Sequence, residues 1–174
     1  MPTKKIWLAL TTTHPEMGHV VILQRMSQFD PETRSKRTFP GACELTAVGC
    51  LEDDEKIFGA LLRLTHENLC RSIVQLVAIE IASETIDSVL IQPECKLREI
   101  SPDENHVVYT LYIEWDDISL LPHHMHVEFV NAGMIPRVGI ITEDREDDGY
   151  PDIREVWLSH NQLEVIKTIL EKQR

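Results

Sequence analysis

The sequence predicts an α/β sandwich or an α+β fold, and three observations predict it. Short β-branched runs recur along the chain, one helix of amphipathic spacing falls mid-chain, and a second closes the C-terminal end. No internal repeat and no low-complexity linker divides the 174 residues, so residues 1–174 are expected to form a single domain.

The elements follow in order. Residues 6–12 are apolar with a β-branched tail and predict a strand. His14-Pro15-Glu16-Met17-Gly18 reads as a turn, and residues 19–26 as a second strand, so the two form a hairpin. Residues 28–37 are polar, hold Pro31 and carry charges of both signs, which predicts a loop. Residues 44–48 are a short extended run closed by Gly49. Ile57, Leu61, Leu62, Leu64 and Leu69 then recur at helical spacing behind Glu52, Asp53, Asp54 and Glu55. Acids at a helix start meet unpaired N–H groups and the positive end of the dipole, so a helix is expected over 54–69. Residues 73–82 fit a helix or a strand. Strands are expected over 89–92, 106–115 and 138–142, with an acidic loop over 143–149. In the second of these, Val108, Thr110, Tyr112 and Glu114 alternate with Tyr109, Leu111, Ile113 and Trp115. Residues 155–158 are a short strand, and Ser159 caps a final helix carrying Leu163, Ile166, Ile169 and Leu170 on one face.

Composition narrows the function classes. A hydrophobic share of 43% is enough for an ordinary core. A net charge of −12 argues against free nucleic acid and against an anionic membrane, because phosphates are repelled. It leaves room for a small nucleotide whose charge a metal or a local basic cluster neutralises. The first apolar run is too short for a signal peptide, and no stretch reaches the length of a membrane span. Cys43, Cys50, Cys70 and Cys95 show no close paired spacing, which predicts reduced thiols in a cytoplasmic protein.

One spacing carries the functional reading. Five residues separate Gly49 from Glu55, seven separate Glu55 from Arg63, and Glu67 follows four after Arg63. This frame resembles the Nudix box, G-x5-E-x7-R-E-U-x-E-E-x-G-U, where U is a bulky apolar residue. The run from Phe39-Pro40-Gly41 to Gly49 resembles the approach to that box, and Glu155-Val156-Trp157-Leu158-Ser159 resembles the strand that precedes the family's last helix. The resemblance implies a Nudix-type α/β/α sandwich with a mixed sheet, a box helix and a C-terminal helix. It further implies hydrolysis of nucleoside diphosphate derivatives with magnesium or manganese, a small nucleotide-like ligand, and room for a homo-oligomer.

The departures from the box bear on mechanism. The family's acids after the arginine and its paired glutamates hold the catalytic metals; here those positions are Leu64, Glu67 and Asn68. Two of the three acids are replaced. Cys70 stands at the box glycine, Arg71 at the apolar position after it, and Cys50 and Asp54 stand where lysine and glycine are frequent. Positions 64 and 67 share a helix face with 68 beside them. Magnesium wants oxygen ligands in a strict octahedron, and Leu64 offers none. The ligands left to a metal are Glu67, the Asn68 amide oxygen and the Gly49 carbonyl, with Glu67 as the one conventional catalytic residue.

Each candidate has a plainer reading. Glu67 is equally an exposed helix glutamate, Asn68 a surface amide, and His66 a solvated histidine rather than a ligand or base. Glu55 and Arg63 match the pair that fixes loop to helix in the family, a structural role. His123-His124-Met125-His126 fits a solvated loop; as a strand it would turn His124 and His126 to one face, where they could share a metal. The acids of 143–148 fit a solvated loop, or a loop lending a carboxylate to the box. Arg25, Arg34, Lys36 and Arg37 suit substrate phosphate or simple solubility, and Cys43, Cys50 and Cys70 are a poor zinc set. Two functions remain: a diphosphate hydrolase of weakened or altered metal use, and a catalytically silent Nudix domain that binds a nucleotide or a protein.

Overall fold

A computed structural model describes residues 3–26, 41–86, 96–101, 103–141 and 155–172. The expected loops at 28–37 and 143–149 and the expected strand at 89–92 lie outside them, as do Arg34, Lys36, Arg37 and Cys95. In chain order the strands are β1 (Lys5–His14), β2 (Gly18–Arg25), β3 (Cys43–Leu45), β4 (Ala47–Cys50), β5 (Leu97–Glu99), β6 (His106–Tyr112), β7 (Val127–Val130), β8 (Gly139–Ile141) and β9 (Trp157–Ser159). The helices are α1 (Ile57–Asn68), α2 (Arg71–Ile86) and α3 (His160–Lys172), with 3₁₀ segments at Trp115–Leu120 and Ala132–Arg137.

The expected hairpin is present. β1 and β2 pair antiparallel from Leu10↔Ile22 to His14↔Gly18, and Gly18, at φ 72°, supplies the left-handed residue that closes the turn. Toward the box the two strands splay, and the run 43–50 fills the gap. β3 pairs with β2 through Leu23↔Leu45, and β4 pairs with β1 from Leu8↔Ala47 to Lys5↔Cys50. The run expected as one strand is therefore two, with a corner at Thr46, whose Oγ1 donates to the Leu8 carbonyl at 3.3 Å. Gly49 lies inside β4 and does not close it.

β6 runs parallel to β1, residue for residue from Lys5↔His106 to Thr11↔Tyr112. Central parallel strands are covered on both faces, and residues 107–111 are all buried. The strand expected over 106–115 ends at Tyr112, because Asp116 and Asp117 favour the first turn of the 3₁₀ segment that follows. β5 pairs with β6 and β7 with β2, both antiparallel and neither expected from sequence. The strands expected at 138–142 and 155–158 appear as the short parallel pair β8 and β9.

The ambiguous run 73–82 is helical, inside α2. α1 begins at Ile57, not at Asp54. Asp54 holds φ 61°, a left-handed conformation that a right-handed helix excludes, and the first turn of α1 carries no acid.

Alternation along β1 explains the layers. Ile6, Leu8 and Leu10 pack with Leu61, Leu64, Ile73 and Val77 of α1 and α2. Trp7 and Ala9 pack with Leu163, Ile166, Ile169 and Leu170 of α3. The expected C-terminal helix buries its predicted face, and Ser159 Oγ accepts from the Gln162 N–H at its start at 3.4 Å. The result is a mixed sheet between helices, the architecture the sequence predicts. No helix among the described residues is long and apolar enough to cross a membrane.

Candidate functional site

The site is built on the loop between β4 and α1 and on the helix face above it. Arg63, in the middle of α1, reaches back over the loop. Its Nε and Nη2 donate to the two oxygens of Glu55, each at 2.9 Å, and Nη2 also donates to the Cys50 carbonyl at 2.9 Å. The fork geometry of guanidinium on carboxylate makes this a strong pair. Glu55 Oε2 in turn accepts the Glu52 N–H at 3.1 Å, closing the loop on itself. These hydrogen bonds from Arg63 hold the Glu55 carboxyl below the usual carboxylate range, and they raise the Arg63 guanidinium further still.

Asp54 sits in this loop at the position where the family frequently has glycine. Its left-handed φ of 61° shows what the position requires. Aspartate tolerates that conformation better than most residues with a side chain.

The three positions where the resemblance expects metal ligands point in three different ways. Leu64 is buried in the core, only 3% exposed, and packs over Gly49. A Cβ on Gly49 would collide with the Leu64 methyl groups, so glycine there is a packing requirement. Asn68 turns its amide nitrogen back onto the helix and donates to the Leu64 carbonyl at 2.8 Å. Glu67 is half exposed and lies 3.5 Å from Arg63 Nη1, which also has Glu52 at 3.5 Å. Between them, Thr65 is buried and donates to the Leu61 carbonyl at 2.6 Å, while His66 faces solvent.

These residues do not fit a catalytic divalent cation. Octahedral magnesium needs several convergent oxygens. The position that should anchor the set is a core leucine, and the one carboxylate left is drawn to a guanidinium. No group of three or more His, Cys, Asp or Glu side chains suited to a metal occurs among the described residues.

The other candidates fall elsewhere. Cys43 is buried in β3, where burial pushes its thiol up to about 11, so it is inert as a thiolate at neutral pH. Cys50 is exposed on the box approach, and Cys70 donates to the Leu120 carbonyl at 2.8 Å. His123, His124 and His126 lie in an exposed turn before β7, not on a strand, so no shared face orients His124 and His126. Met125 packs on the core beside them.

Arg25 proved to be a structural residue. Its side chain is 5% exposed; Nε donates to Glu128 at 3.0 Å, and Nη1 donates to the carbonyls of Gly41 at 2.7 Å and Glu155 at 3.1 Å. One guanidinium thus ties β2, β7 and two further chain segments together. Nothing in the sequence near Arg25 signals this, because its partner Glu128 is 103 residues away.

Two outcomes follow from this geometry. Gly49→Ala is expected to destabilise the fold by about 1–3 kcal/mol through overpacking against Leu64. In a double-mutant cycle with Leu64→Ala, measured by urea unfolding, the two changes should compensate; strict additivity would show that the packing is unimportant. The second concerns pH. Glu55 is held below its ordinary value near 4.5, so its pairing with Arg63 stabilises fully above that value and is lost as pH falls through the lowered one. Acid unfolding curves of wild type and Arg63→Met should therefore converge as pH falls below the ordinary carboxylate range, and stay apart at neutral pH.

No family model and no curated protein matches the chain. Solved structures do. The C-terminal domain of mouse MUTYH, seen in a complex with human PCNA, aligns at a TM-score of 0.53 with 12% identity over 99% of this chain and 90% of its own. The NUDIX domain of Shewanella oneidensis NrtR, solved with ADP ribose, aligns at 0.49 with 15% identity over 100% of this chain and 90% of its own. A mutT/nudix family protein from Listeria innocua aligns at 0.46 with 12% identity over 99% and 95%. The likeness is one of fold: this chain, with its glycine, loop and helix held in place by Glu55 and Arg63, shares the fold of the MUTYH domain.

Proposed function

We propose that the chain is a catalytically silent Nudix-type domain that works as a protein-binding module. The observation that carries this reading is Leu64, buried against Gly49 where hydrolases of the family place a metal-binding carboxylate. Diphosphate hydrolysis by the family's route needs a metal-activated water. The remaining carboxylate, Glu67, faces Arg63, and the Asn68 amide is turned to the helix backbone. Of the two ligands open to a silent domain, a protein is favoured over a nucleotide. The net charge of −12 repels phosphate, and Arg25, the described member of the basic set expected near a substrate, is committed to Glu128. The mouse MUTYH domain, of similar fold, is itself seen with a protein partner.

The test is a panel of nucleoside diphosphate derivatives incubated with the full chain in magnesium and in manganese. The expected result is no turnover and no rise in melting temperature with any nucleotide. Turnover abolished by Glu67→Gln would establish the competing reading, a hydrolase of altered metal use. Stabilisation by a nucleotide without turnover would overturn the preference for a protein ligand. Leu64→Glu combined with Asn68→Glu should destabilise the fold and manganese should restore part of its melting temperature; a folded variant that manganese does not stabilise would contradict the placement of the box.

A further inference from the structure

The end of the sheet remote from the box carries a cluster that the box does not explain. β1 runs ten residues from Lys5, opposite Cys50, to His14. At about 3.3 Å per residue that places His14 on the order of 30 Å along the strand from the box approach. There the His14 ring meets Trp115 of the 3₁₀ segment at a centroid distance of 4.5 Å and Phe129 of β7 at 5.3 Å; Trp115 and Phe129 are 5.6 Å apart. All three rings are half-buried, and Phe129 packs against the core.

Two features give this surface a preference. First, it is fixed. His14 Nδ1 accepts the N–H groups of Glu16 at 3.1 Å and Met17 at 3.2 Å, and Asn131 donates to the Met17 carbonyl at 3.2 Å. These bonds to Nδ1 fix the orientation of the His14 ring. Second, its neighbours in the chain are acidic. Glu16 follows His14 in the turn, and Glu114, Asp116 and Asp117 flank Trp115. Glu16, Glu114 and Asp116 are exposed, and against them stands Lys96, 3.7 Å from Glu114.

We propose that this aromatic end of the sheet binds a cationic side chain, an arginine or lysine presented by a protein partner. A cation over the face of a tryptophan is attracted by the ring quadrupole, and a guanidinium also stacks on it. Nearby carboxylates strengthen that attraction and repel anionic ligands. Tryptophan in a rigid, half-buried setting is also the residue type most enriched among interface anchors. The inference rests on the protein-binding reading above and supplies the chemistry of the partner.

The test is calorimetric titration of the full chain with an acetylated, amidated Gly-Arg-Gly-Arg-Gly peptide and with the same peptide carrying citrulline for arginine. The arginine peptide should bind, and the neutral citrulline peptide should bind about 10-fold more weakly or worse, in line with the range of cation–π attraction. Trp115→Leu should lose a similar factor, Trp115→Phe less, and Glu171→Gln, a charge removed from the end of α3, nothing. Equal affinity for the two peptides, no saturation by wild type at millimolar concentration, or an equal loss in Glu171→Gln would overturn the proposal. Nucleotide turnover is read separately. A chain that hydrolysed diphosphates yet bound arginine through Trp115 would lose the silent reading and keep this one.

Discussion

The contact on which the rest of this site depends is Leu64 over Gly49. The box loop reaches α1 through a strand, β4, that is wedged between the splayed ends of β1 and β2. For α1 to lie close on that strand, one residue must have no side chain and the residue above it must fill the space. In a metal-binding box the same helix position would project a carboxylate. Here a leucine projects into the core and gains the burial that a carboxylate would have to avoid, a gain of roughly 1.5–3 kcal/mol for a side chain of this size. An unpaired carboxylate at this depth would be strongly unfavourable. Packing and metal binding are thus alternatives at position 64, and the Leu64 side chain is packed.

The Glu55–Arg63 pair serves the same end. Glu52, Glu55 and Glu67 all gather on the one guanidinium. The bidentate bond to Glu55 and the bond to the Cys50 carbonyl fix the loop to the helix, while Glu52 and Glu67 remain exposed ion pairs of small energetic weight. Gly49, Glu55 and Arg63 therefore form a clamp between loop and helix.

Much of this was legible in the sequence, for physical reasons that differ from element to element. The β1–β2 hairpin and α3 were readable because their apolar periodicity is long and their turn and cap residues are explicit. The body of α1 was readable from its leucines, but its start was not, since the acids that suggested a helix terminus belong to a loop held by Arg63 and turned by Asp54. The corner at Thr46 was hidden because apolar residues lie on both sides of it. β5 and β7 are too short to show alternation, and their pairing is set by β6 and β2. At the site, the departure of Leu64 and Asn68 from the box that the sequence resembles was readable residue by residue. That Leu64 seals against Gly49, and that Arg25 is a buried tie rather than a phosphate ligand, depends on neighbours distant in sequence.

The most direct measurement is manganese binding to the full chain, followed by electron paramagnetic resonance. Because Leu64 is in the core and Glu67 faces Arg63, the spectrum of free manganese should persist through the titration, with no specific site and no difference in Glu67→Gln. A single saturating manganese site that disappears in Glu67→Gln would contradict the account and return the chain to the hydrolases.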